Sequence, residues 1–153
     1  MDLIIWRHAE AEDQREGLDD MDRALTPRGR KQAARVGKWL RKHMPADTRV
    51  LCSPALRCQQ TALALGCEIE LVQGLAPDAT PAALLQAARW PDAGTPVMVV
   101  GHQPTLGEAL AQVLRLQDSD YAIRKGAAWW LRTGGRDGPD QVIVWAVQSP
   151  ETA

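Results

Sequence analysis

A chain of 153 residues, 45% hydrophobic and 24% charged, is long enough to bury a substantial core and reads as one domain spanning 1–153. Its net charge of −1 gives no reason to expect nucleic acid or an anionic membrane as partner. The three cysteines, Cys52, Cys58 and Cys67, are odd in number and lack metal-ligand spacing, which argues against a disulfide scaffold or a metal site and predicts reduced thiols in the cytoplasm.

The first element is the apolar run Leu3-Ile4-Ile5-Trp6, a predicted buried strand that ends abruptly in Arg7-His8. It is too short for a signal peptide, and no segment approaches the length of a membrane-spanning helix. The carboxylate-rich stretch from Glu10 to Asp22 has no apolar period and reads as a loop. Thr26-Pro27 then caps and starts a helix, with Ala33, Val36, Gly37, Leu40 and Met44 at helical spacing, Arg and Lys on its other faces, and Pro45 ending it. Arg49–Cys52 is a short second strand. Ser53-Pro54 repeats the cap-plus-proline start, ahead of a helix with a buried stripe of Ala55, Cys58, Ala62 and Leu65 and a stop at Gly66. Arg57 lies near the start of that helix, and its side chain leans back toward the helix N-terminus.

Glu68–Leu71 alternates as an edge strand would, and Thr80-Pro81 opens a third helix running to about Ala88. Val97–Val100 does not alternate, so it is predicted to be a central strand buried on both faces, and it ends in Gly101-His102. Pro104 starts a fourth helix, to about Leu114. Two further strands, Ala127–Leu131 and Val142–Val147, are joined through Gly134-Gly135 and Asp137-Gly138 by a hairpin-like connection. Strands alternating with helices and then a closing pair predict an α/β fold: a three-layer α/β/α sandwich on a mostly parallel sheet of about six strands. Ligands of such sheets bind beyond the carboxyl ends of the strands. Two strands that each deliver a histidine there predict one shared pocket.

Four stretches in this order resemble the histidine phosphatase superfamily, whose fold is phosphoglycerate mutase-like. Arg7-His8 resembles its signature after the first strand. Ser53-Pro54-Ala55-Leu56-Arg57-Cys58-Gln59-Gln60-Thr61 resembles its S-P-x-x-R-x-x-Q-T helix start, and Gly101-His102 its second histidine. Arg23-Ala24-Leu25-Thr26-Pro27-Arg28-Gly29 resembles the R-x-L-T-x-x-G segment of the small SixA branch, the phosphohistidine phosphatases. The resemblance implies that His8 is a nucleophile forming a covalent phosphohistidine, that Arg7, Arg57 and His102 hold the phosphoryl group, and that Arg23 adds a phosphate contact; an arginine in an acidic loop is otherwise usually just solvated.

Elementary chemistry points the same way. Phosphoryl transfer spreads negative charge over three oxygens and needs fixed cations and hydrogen-bond donors around them. Arg7 and Arg57 offer permanently charged planar donors. Those arginines also favour a neutral, nucleophilic imidazole at His8, with one ring N–H held by a backbone carbonyl. His43, near a helix end, and Arg28, in a first helical turn, read as surface residues, and Cys52 and Cys58 as core thiols.

Relatives that cleave phosphate esters often carry a glutamate general acid after the third strand. Here that stretch is Gln73-Gly74-Leu75-Ala76-Pro77-Asp78, leaving Glu10 and Glu12 as the remaining candidates. A missing acid suits a labile phosphoramidate better than an ester. Between Gly74 and Thr95 there is room for one short helix and no lid, so an open pocket is expected. The expected substrate is therefore phosphohistidine on a signalling or phosphotransfer protein, with phosphate as product and no cofactor or metal. The alternatives are a phosphatase for a small phosphorylated metabolite and a non-catalytic phosphate-dependent binding module.

Overall fold

The computed structural model describes residues 1–135 and 138–153, so Asp137 of the proposed hairpin connection lies outside the described residues. The strands are β1 (Asp2–Arg7), β2 (Arg49–Cys52), β3 (Glu70–Leu71), β4 (Val97–Gly101), β5 (Ala128–Gly135) and β6 (Gly138–Gln148). The helices are α1 (Pro27–His43), α2 (Leu56–Leu63), α3 (Pro81–Ala87) and α4 (Thr105–Leu114). They build one six-stranded sheet in the order β3-β2-β4-β1-β5-β6. The first four strands are parallel, while β5 runs antiparallel to β1 and β6 antiparallel to β5.

The period of two along each strand divides the core. Leu3 and Ile5 of β1, Val97 and Val99 of β4 and Leu51 of β2 join Leu84 of α3 and Leu106 and Leu110 of α4 on one face. Ile4 and Trp6, Met98 and Val100, and Val50 and Cys52 pack with Val36 and Leu40 of α1 and Cys58 and Ala62 of α2 on the other. This is the three-layer sandwich expected. The non-alternating run of β4 is buried at all five positions because helices cover both faces and a strand flanks it on each side. After β1 the chain turns to the α1 face, and after β4, its neighbour, to the α4 face. A crevice opens where neighbouring strands send their connections to opposite faces, here at the carboxyl ends of β1 and β4.

The local signals hold with adjustments: β5 and β6 extend to Gly135 and from Gly138, and α2 ends at Leu63, three residues before the glycine expected to stop it. Thr26 Oγ1 accepts from Gly29 N–H at 2.9 Å, so α1 is capped as its sequence predicts. The Glu68–Leu71 strand contracts to Glu70–Leu71 at the sheet edge, with both residues exposed. Ser53 does not cap α2 either: Ala55 is the N-cap residue, without a side-chain cap bond, and the Ser53 hydroxyl serves the site described next.

Candidate functional site

Register builds the site. Trp6 pairs with Val100 and Arg7 with Gly101, while Cys52 also pairs with Val100, so β1, β4 and β2 end level. One step further, His8 N–H donates to Gly101 O at 3.1 Å and Ser53 N–H to Val100 O at 3.0 Å. His8 and His102 thus leave the sheet side by side, with ring centroids 5.4 Å apart. Both line a cavity of about 230 Å³ together with Arg7, Arg23 and Arg57. All five residues singled out in the sequence meet there.

Each cation is held from behind. Arg7 Nη1 donates to Ile123 O at 2.7 Å. Arg57 Nη1 donates to Asp20 O at 2.7 Å and Nη2 to Asp20 Oδ2 at 3.1 Å. Arg23 Nε donates to Asp20 Oδ1 at 2.9 Å, and its Nη1 to Glu12 O at 2.8 Å. Asp20 therefore sets the spacing of two guanidinium groups. Burial alone would raise its carboxyl, but Arg57 and then Arg23 outweigh this and hold it below the usual carboxylate range. The Nε atoms of Arg7 and Arg57 are buried without a hydrogen-bond partner in the protein. Orphaned charged donors are costly, and the charge of these two arginines, which line the cavity, favours an anion there.

The imidazoles are neutral. His8 Nδ1 donates to Ala9 O at 2.7 Å, which leaves the lone pair on Nε2. Burial first, and then the charges of Arg57, Arg7 and Arg23, push His8 down to about 4. The arginines expected to keep it neutral are thus the smaller cause, and desolvation is the larger. His102 is pushed down to about 3, again by burial first and then by Arg57 and His8. Its Nε2 lies 2.7 Å from Ser53 Oγ. That oxygen accepts from Ala55 N–H, and its one proton is free for Nε2, a pairing that puts the ring N–H on Nδ1. Cys58 Sγ lies 3.4 Å from the same nitrogen, which places this core thiol against the site; burial above all pushes its pKa up, so it stays protonated.

The two candidate acids point elsewhere. Glu10 Oε2 accepts from Thr26 Oγ1 at 3.0 Å, and Glu12 pairs with exposed Arg15 at 3.4 Å; neither lines the cavity. Asp13 does line it, as do Pro77, Gln103 and Lys125, and sequence reasoning missed all four. It also missed Asp20, Ser53 and Thr61. Thr61 Oγ1 accepts from Ala9 N–H at 3.1 Å and donates to Arg57 O at 2.8 Å, tying the loop after β1 to α2. Gln60 Oε1 accepts from Leu25 N–H at 2.7 Å, fixing the far end of the same loop. Ser53, Gln60 and Thr61 stood inside a quoted motif, so the signal was present without a role. Asp20 was one carboxylate among several in the loop and carried no signal of its own.

Gly29 belongs to this framework. Thr26 N–H donates to Glu10 O at 3.0 Å, and a Cβ on Gly29 would collide with that same carbonyl oxygen. α3, the one helix between Gly74 and Thr95, packs against α4 in the core of its own sheet face. Among the described residues, no group of three or more His, Cys, Asp or Glu is arranged to hold a metal ion, and no helix is long and apolar enough to cross a membrane.

The family model that describes the histidine phosphatase superfamily (branch 1) matches residues 3–77. A Picosynechococcus protein is 38% identical over 144 residues, covering 88% of this chain and 86% of its own. A phosphohistidine phosphatase SixA homolog of Haemophilus influenzae is 31% identical over 128 residues, covering 74% of this chain and 77% of its own. Among solved structures, a Nakamurella multipartitia protein assigned as a phosphohistidine phosphatase SixA superposes with a TM-score of 0.76 at 31% identity, over 97% of this chain and 95% of that one.

Proposed function

The chain belongs to the histidine phosphatase superfamily, with SixA-type proteins among its relatives, and on that premise we propose that it dephosphorylates phosphohistidine on a signalling or phosphotransfer protein. One observation carries the reading. A neutral imidazole with its lone pair on Nε2 stands in a cavity where two arginines each keep a buried, unpartnered Nε donor. Binding an anion needs the donors but not the nucleophile.

In this reading His8 Nε2 attacks phosphorus. The new N–P bond forms as the substrate P–N bond breaks, and the electron pair leaves with the substrate imidazole, which takes a proton from solvent at its other ring nitrogen. Arg7, Arg57 and Arg23 hold the three outer oxygens, and His102 donates its Nδ1–H to the charge that builds on them. Water then attacks the phosphohistidine at His8, releasing inorganic phosphate and restoring the neutral imidazole. Every cationic role falls to a side chain of the protein. Neither glutamate after β1 reaches the cavity; the carboxylate that lines it is Asp13. The three free thiols support placing the protein in the reducing cytoplasm, and the chain from Met1 to Ala153 is read as one domain.

The test is mass spectrometry under alkaline quench after incubation with a histidine-phosphorylated protein, for wild type and His8→Ala. A transient phosphoryl adduct on His8 with loss of phosphate from the substrate supports both mechanism and substrate. An adduct formed only with a small phosphoester keeps the mechanism and replaces the substrate. Undiminished turnover by His8→Ala removes the covalent route.

A further inference from the structure

The net charge of −1 conceals a strong segregation. α1 carries seven of the 18 Lys and Arg residues and none of the 19 Asp and Glu residues. Five of its cations, Arg28, Lys31, Arg35, Lys38 and Lys42, recur at alternating steps of three and four. At 100° per residue they fall within an arc of about 80°, opposite the buried face formed by Gly29, Ala33, Val36, Gly37 and Leu40. All five are exposed, and among the described residues none has a carboxylate within ion-pair distance. The stripe runs about 21 Å along the helix.

This stripe is continuous with the candidate site. Lys125 lines both the His8 cavity and an adjoining depression of about 300 Å³, where it meets Arg124 and Arg28. Arg28 in turn lines a groove of about 190 Å³ together with Lys31 and Arg35. Two carboxylates border the track. Glu151 is paired with Arg124 at 3.1 Å, and Glu10 accepts from the Thr26 hydroxyl. A path of cations therefore leads from the rim of the cavity onto α1.

We propose that the stripe on α1 is the docking surface for the protein substrate, and that it recognises an acidic segment flanking the phosphohistidine that enters the cavity. The proposal rests on the phosphohistidine reading above. Because the track joins the cavity, one molecule occupies both, and a molecule that presents phosphohistidine is a protein. At the edge of the stripe Trp39 is half-buried and packs its ring on His43 and Trp130, and the outer face of α1 exposes no Leu, Ile or Val to enter a bilayer. What it offers is charge alone, which suits an acidic protein surface and accelerates encounter more than it tightens the final complex.

The experiment uses the full chain, a variant carrying Lys31→Glu, Arg35→Glu and Lys38→Glu, and two synthetic peptides. Both peptides hold a central phosphohistidine, one followed by a Glu-rich flank and the other by a Gly/Ser flank. Wild type is expected to process the acidic peptide with a kcat/KM about tenfold above the neutral one at low salt. The triple variant and raised ionic strength each abolish that advantage, and the triple variant leaves kcat/KM for the neutral peptide the same. A parallel variant with Gln at the three positions covers loss of folding in the charge reversal. Fluorescence anisotropy with the unphosphorylated acidic peptide reads docking without turnover. If neither phosphopeptide is turned over, the substrate reading fails, and the anisotropy still decides the docking surface. Equal rates on both peptides together with equal binding by wild type and variants overturn the proposal. So does binding of single-stranded DNA or phosphatidylserine vesicles through these lysines and arginine when the acidic peptide does not bind.

Discussion

Ser53→Ala tests how the second histidine is held. The Ser53 side chain is fully buried, and its Oγ lies 2.7 Å from His102 Nε2 while accepting Ala55 N–H at 3.2 Å. Removing the hydroxyl leaves a buried ring nitrogen without its strong donor, a defect that costs about 1–3 kcal/mol. The Cys58 thiol, 3.4 Å from the same nitrogen, remains as a weak donor and pulls the expected cost toward the lower half of that range. That cost of about 1–2 kcal/mol falls on the folded protein and is read as a loss of stability, while kcat/KM on a phosphohistidine peptide falls as His102 loses its fixed orientation. The same defect removes the reason for the proton to sit on Nδ1. Nitrogen-15 spectra of His102 should therefore show one dominant tautomer in wild type and a mixture in the variant. Adding Cys58→Ala to Ser53→Ala deepens both effects. An unchanged kcat/KM with an unchanged tautomer, in a variant that melts with the wild type, would refute this account of Ser53.

The parts of this molecule that were legible in the sequence share a short range. A strand buried on both faces and a Thr-Pro helix start are each decided by residues close in the chain, and β4 and α1 follow them. The shared pocket of His8 and His102 was legible for a different reason, since strands of a parallel sheet must deliver their carboxyl ends to one edge. What escaped was decided by contacts across the fold. Ser53 carries the sequence signature of a cap, yet β2 ends level with β4 and brings its hydroxyl to His102 instead. Glu10 and Glu12 follow the histidine directly, but Gly29 lets the loop backbone come so close to α1 that Glu10 is turned to Thr26. Asp20, which grips both Arg23 and Arg57, is indistinguishable in sequence from the solvated carboxylates around it. The neutrality of His8 was expected from its arginines, whereas the larger cause is burial, a quantity that only the packed fold supplies.

The same geometry fixes three further outcomes. Arg57→Lys replaces a fork that grips Asp20 with two nitrogens by a single ammonium; kcat/KM should fall at least tenfold, and retention of wild-type kcat/KM would count against the fork. Gly29→Ala drives a Cβ into Glu10 O, so thermal unfolding should show a loss of about 1–3 kcal/mol, whereas an unaltered Tm would mean the approach relaxes freely. The pH dependence follows from the imidazoles. In the folded protein His8 is held down to about 4, while the unfolded chain titrates near the ordinary histidine value, so between these limits the unfolded state binds the extra proton. Stability should therefore be complete above pH 6.5 and decline as pH falls toward 4, by on the order of 3 kcal/mol from His8 alone. His102, held lower still for the same reason, extends the decline below that point. In proton NMR the two ring signals should not move between pH 8 and 5.5. A His8 signal that titrates near 6.5 would show the imidazole to be solvated, and with it would go the neutral nucleophile on which the proposed attack depends.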